Sequence, residues 1–124
     1  REELLRKAEA ISRKAEEVSG FKLVVHEEEM DREKLRDLAI EVSKLLPKSV
    51  VVVLSPRGDK TDFALKLSDE AIKAGLNAKT LTSKLLSAVK GSGGGSKDLT
   101  QGVISRVKVL DKVKSALISI LREC

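Results

Sequence analysis

Aromatic side chains are almost missing from this chain. Phe21 and Phe63 are the only two among 124 residues, and there is no Trp or Tyr. That scarcity argues against a nucleic-acid module that stacks bases on rows of aromatic rings. Apolar residues still make up 41% of the chain, so the core is aliphatic. Histidine and cysteine are equally sparse, with His26 and Cys124 the sole examples. Neither a Cys/His zinc set nor a Ser/His/Asp order can be assembled from them, and one cysteine cannot form an internal disulfide. No metal and no cofactor are expected. No apolar run approaches the ~20 residues that span a bilayer, and no signal peptide is visible. The expectation is a cytoplasmic chain without a membrane partner. It begins with Arg1 inside a helical pattern and reads as a piece of a longer protein.

What is abundant is charge, and it is unevenly placed. The sequence carries +5 overall, with 24 Lys and Arg against 19 Asp and Glu. Residues 1–46 hold 10 basic and 12 acidic residues, a balance of −2; residues 47–124 hold 14 and 7, a balance of +7. Eight bases lie between residues 79 and 114, against only Asp98 and Asp111. A basic half of this kind points to a polyanion, most often a phosphate backbone. The acidic run Glu27–Glu29 and Asp31 reads as a solvated surface, with Asp31 placed to cap a helix. His26, which closes a strand candidate, reads as a boundary residue.

The periodicities predict a small α/β domain: a mixed sheet flanked by helices and preceded by a helical arm. Leu4, Ala8, Ile11, Ala15 and Val18 recur at helical spacing, so residues 1–19 are expected as a helix, either a coiled-coil arm or a helix lying on the domain. Ser19-Gly20 is its stop. Residues 20–124 form the globular unit. Phe21–Val25 is a strand, residues 32–46 a helix ended by Pro47, and Val50–Leu54 a strand buried on both faces; that order is a parallel βαβ unit. Ser55–Lys60 is a turn, and Thr61–Leu67 alternates like a half-buried hairpin partner. Gly75 closes a short helix, Asn77 caps another, and Gly102–Ile104 and a final helix follow the glycine stretch.

That stretch, "KGSGGGSKDLTQG" at residues 90–102, is the most informative part of the chain. It fails the P-loop pattern, which needs Gly-Lys-Ser/Thr opening a helix. Successive glycines expose backbone N–H groups that can cradle an anion, and they equally let a backbone pass close over a packed sheet. Both uses stay open. The order of pieces around it, "VVVLS", "TDFALKLS" and "AIKAGLNAKTLTSKLLSAVKGSGGGSKDLTQG", resembles the C-terminal, DHHA1-type domain of alanyl-tRNA synthetases. The matching residues are Lys73, Gly75, Leu76, Ala78, Gly91, Gly93, Gly94, Gly95, Asp98, Leu99, Gln101 and Gly102. Residues 48–102 carry the likeness and the ends share it loosely. The chain departs from the family at Ser96-Lys97, where His or Arg-Pro often stands, at Thr100, and at Val103-Ile104-Ser105, where further glycines are usual. In DHH-type phosphoesterases a histidine or arginine here helps hold substrate phosphate, a role that therefore does not transfer to Ser96.

The resemblance implies a non-catalytic appendage that contacts the outer corner of tRNA and helps one tRNA serve aminoacylation and editing, with homodimer formation in some members. Residues 1–19 would end the helical arm. The residues expected to meet tRNA are Lys79, Lys84, Lys90, Lys97, Arg106 and Lys108, with the backbone of Gly93, Gly94 and Gly95; no catalytic residue is expected. Two other readings remain at this point: an oligomerisation module, and the substrate-binding half of a DHH-type phosphoesterase.

Overall fold

The computed structural model describes residues 1–124. A six-stranded mixed sheet carries two helices on one face and three on the other, the α/β architecture expected. The chain runs α1 (Glu2–Ser12), β1 (Glu16–Val18), β2 (Phe21–Glu27), α2 (Arg32–Leu45), β3 (Ser49–Arg57), β4 (Lys60–Leu67), α3 (Asp69–Lys73), α4 (Ala78–Ala88), β5 (Gly91–Gly95), β6 (Leu99–Ile104) and α5 (Leu110–Arg122). The strands lie in the order β1-β2-β3-β4-β6-β5.

The β-branched run Val50–Val53 forms the middle of the sheet and is completely buried. Alternation sends its side chains into two separate cores. Val50 and Val52 join Phe63, Leu65, Leu85 and Leu117 under α3, α4 and α5. Val51 and Val53 meet Leu35, Leu38, Ala39 and Val42 of α2, and Ala8 and Ile11 of α1. Each buried aliphatic side chain contributes roughly 1.5–3 kcal/mol. β2 and β3 are parallel and joined by α2, the expected βαβ unit. Asp31 caps α2 by accepting from the Lys34 N–H at 2.9 Å, and Asn77 caps α4 through the N–H groups of Lys79 and Thr80. Arg57-Gly58-Asp59-Lys60 makes the tight turn between β3 and β4, with Gly58 at φ 65°.

Three expectations need correction. The first helix ends at Ser12 rather than continuing to residue 19, and Glu16–Val18 pairs antiparallel with β2. Ser19 and Gly20 have φ of 53° and 86°, the pair of left-handed residues that a type I′ hairpin turn requires, so they serve a hairpin and not a helix end. β4 is buried on both faces rather than half-buried: Ala64 packs into the core under α2, and Phe63, Leu65 and Leu67 into the core under α3, α4 and α5, while β6 pairs along its edge. The glycine stretch, to which the periodicities assign no helix or strand, holds one: Gly91–Gly95 is the edge strand β5, antiparallel to β6.

The helix α1 lies on the domain. Ala8 is fully buried against the α2 side of the sheet. A charged clasp reinforces it: the Lys7 ammonium donates to Glu28, whose other oxygen lies 3.0 Å from His26 Nε2. The hydrogen bond to His26, followed by that to Lys7, holds the Glu28 carboxyl below its ordinary pKa. His26 therefore does have a partner, on the strand next to the α1 contact.

Candidate nucleic-acid interface

Glycine carries little intrinsic strand preference, so β5 exists because β6 offers it a ladder. The bonds from Ser105 N–H to the Lys90 carbonyl (2.8 Å) and from Ser96 N–H to the Leu99 carbonyl (2.9 Å) bracket that ladder. Antiparallel pairing alternates, so Ser92 and Gly94 exchange bonds with Val103 and Gln101. The N–H and C=O groups of Gly91, Gly93 and Gly95 then point away from β6, along the open edge of the sheet.

The glycines do not all face the same side of the sheet. Gly93 stands opposite Gly102, and the Phe63 ring lies against both. A Cβ on Gly93 would sit 2.7 Å from the Gln101 carbonyl oxygen and 2.9 Å from the ring; one on Gly102 would sit 2.2 Å from the Ser92 carbonyl oxygen. Gly91 and Gly95 are equally closed by the β6 backbone. These four glycines serve packing. Gly94 faces the other way, and a Cβ there would meet nothing within 4 Å.

The anticipated basic residues are arranged around this strand, and all six are exposed. The Ala78 N–H donates to the Lys97 carbonyl at 2.7 Å, which sets Lys97 beside Lys79 at the start of α4. The Ser105–Lys90 bond sets Lys90 beside Arg106 at the opposite end. Lys84 lies between these ends on α4. Lys108 is farther along the β6–α5 connection, in left-handed backbone at φ 60°. Ser96 is committed to the turn after β5: its hydroxyl donates to Asp98 at 2.6 Å. That bond, followed by the nearby Lys66 charge, holds the Asp98 carboxyl below its ordinary pKa.

A second feature was not visible in the sequence. Thr100 bonds Thr82 of α4 at 2.6 Å, so Leu99, Gln101 and Val103 turn to the opposite face, the α2 side. There they form a half-buried shelf beyond the reach of α2. Between shelf and helix lies a cleft of about 290 Å³ bordered by Arg32, Leu35, Asp62, Gln101 and Val103. Asp62 is buried, yet both its oxygens accept from Arg57, through Nε and Nη2, each at 2.9 Å. Arg32 approaches it at 3.4 Å. The Arg57 hydrogen bond, opposed by burial and aided by both guanidinium charges, holds the Asp62 carboxyl below its usual range. Arg32, Arg57 and Gln101 are separated by up to 69 positions in the sequence; the β3–β4 hairpin brings Arg57 to Asp62, α2 brings Arg32, and the β4–β6 pairing brings Gln101. No three His, Cys, Asp or Glu side chains converge in the molecule, and no helix is long and apolar enough to cross a membrane.

A sheet of this topology, closed by a glycine edge strand and ringed by bases, defines a class. Residues 19–123 match the DHHA1 domain family, and the chain belongs to it. Within that family it is similar to the C-Ala domain of Aquifex aeolicus alanyl-tRNA synthetase, with a TM-score of 0.78 and 35% identity over 88% of this chain and 98% of that one. It is 33% identical over 113 residues to the alanine–tRNA ligase of Thermofilum pendens, and 33% identical over 109 residues to that of Pyrococcus abyssi. These stretches are 91% and 88% of this chain but only 12% and 11% of those proteins. The likeness to the synthetase C-terminal domain expected from residues 48–102 thus extends over nearly the whole chain. RecJ from Thermus thermophilus shares the fold, with a TM-score of 0.71 at 10% identity.

Proposed function

We propose that this chain is a non-catalytic tRNA-binding appendage of an alanyl-tRNA synthetase. It contacts the outer corner of tRNA and helps one tRNA serve both aminoacylation and editing in the cytoplasm. The observation that carries this reading is the match to the C-Ala domain across 98% of that domain's length. The distribution of charge supports it: Lys79 and Lys97 at one end of β5, Lys90 and Arg106 at the other, and Lys84 between them. Lysine and arginine neutralise phosphates and release condensed counterions. Gly94 adds a bare surface on which a sugar or base can lie closely. The helix α1 continues, in this reading, the arm that joins the domain to the rest of a synthetase.

A substrate-binding role in a DHH-type phosphoesterase is less well supported. The RecJ likeness is one of fold, and Ser96 stands where a histidine would be needed and is already bonded to Asp98. The test is a tRNA gel shift over a salt series, alongside assays for hydrolysis of oligoribonucleotides and mischarged tRNA. Salt-sensitive tRNA binding without turnover is expected. Steady-state hydrolysis that disappears in a point variant would overturn the non-catalytic assignment.

A further inference from the structure

We infer that the cleft between α2 and β6 seats one unstacked nucleotide of the bound RNA, an inference that rests on the tRNA-binding reading above. Three observations meet there. The first is charge. Asp62 is already satisfied by the two-point contact from Arg57, so the guanidinium of Arg32, whose side chain is 63% exposed and which lies 3.4 Å away, is surplus to it. It leaves an uncompensated positive charge at the mouth of the cleft, where a phosphate or the face of a base can meet it.

The second is shape. The cleft has a volume of about 290 Å³, walled by Leu35 on one side and Val103 on the other. Its floor includes the Gly102 backbone, where no side chain intervenes. A flat heterocycle fits such a slot and is held by apolar contact without an aromatic partner. The third is hydrogen-bonding capacity. Gln101 projects into the same space from β6, and its carboxamide can donate and accept at once, as a base edge requires. The cleft opens onto the same side of the sheet as Gly94, so a strand crossing that glycine can deliver a base to it. An acidic ligand without a planar group would use Arg32 alone and leave Gln101 and Val103 untouched.

The test is an amide-shift titration of the isotopically labelled chain with each nucleoside 5′-monophosphate, and in parallel with inorganic phosphate. Saturable shifts at Gln101, Gly102 and Val103 are expected with at least one nucleotide and not with phosphate. Gln101→Leu should abolish preference among bases, and Arg32→Gln should weaken nucleotide binding about tenfold, the equivalent of roughly 1.4 kcal/mol. Arg32 is exposed and Gln101 half-buried, and thermal unfolding checks that both changes leave the fold intact. Equal responses to phosphate and nucleotides, or a silent cleft at millimolar nucleotide, would overturn the inference. Silence here beside normal salt-dependent tRNA binding rejects the cleft alone. Loss of tRNA binding with the cleft still responsive rejects the wider reading.

Discussion

Gly93 and Gly94 are adjacent on one strand, and a methyl group added to each would meet opposite surroundings. At Gly93 it would collide with the Gln101 carbonyl and the Phe63 ring; at Gly94 it would enter open space. A run of identical residues thus has two jobs assigned by strand parity. The inward glycines let β5 and β6 close over Phe63. The outward one keeps a surface bare beside the Gln101 shelf. Composition alone cannot separate these jobs, but the pleat can.

The comparison can be broken first at its inner side. Phe63 is 1% exposed and is the largest fully buried side chain. Phe63→Ala should cost about 3–5 kcal/mol through the cavity it leaves, measured by denaturant titration. A loss below about 1 kcal/mol would mean that the inward glycines do not close over this ring. Gly93→Ala should cost about 1–3 kcal/mol, because the obstructing atoms include backbone and cannot swing aside. A variant as stable as the parent would refute the packing role.

A comparable loss is expected from Asp62→Asn, about 1–3 kcal/mol, because it removes the acceptor charge from two guanidinium groups. The effect should depend on pH. The folded carboxyl is held below its ordinary value, so its contribution is full above the unfolded pKa of about 3.9 and fades as pH falls through the lower folded value. The stability difference between parent and variant should therefore shrink in acid; a constant difference down to pH 2 would sink this account. The smallest effect belongs to the outer glycine. Gly94→Ala should change stability by no more than about 0.5 kcal/mol yet weaken tRNA binding. A folded Gly94→Ala chain with undiminished affinity would show that the bare surface is unused.

Most of the sheet was legible because local patterns agree with the tertiary outcome. The four consecutive valines announced a strand buried on both faces, and Asp31 and Asn77 announced the starts of two helices. The errors have a common physical source. Ala15 and Val18 extend the helical stripe of α1, but β2 supplies an edge for residues 16–18, and the Ser19-Gly20 turn folds them back onto it. "GSGGG" carries no strand signal at all and is recruited by β6. The polar face of β4 looked solvent-facing, but α2 packs over it at Ala64, and Arg57 satisfies Asp62 there. The lysines proposed to meet RNA could be named as candidates from charge density. Arg32 and Gln101 could not, since nothing short-range links them.

The central claim is that the basic ring around β5 meets RNA phosphates. The most direct measurement is tRNA affinity across a salt series for the parent chain and for Lys90→Ala/Lys97→Ala. The parent should lose affinity linearly with log salt, at about 0.7–0.9 units of slope for each phosphate neutralised. The double variant should bind more weakly and flatten that slope by roughly one to two units, to the same extent for tRNAs of different sequence. An unchanged affinity and an unchanged slope in a folded double variant would contradict the claim.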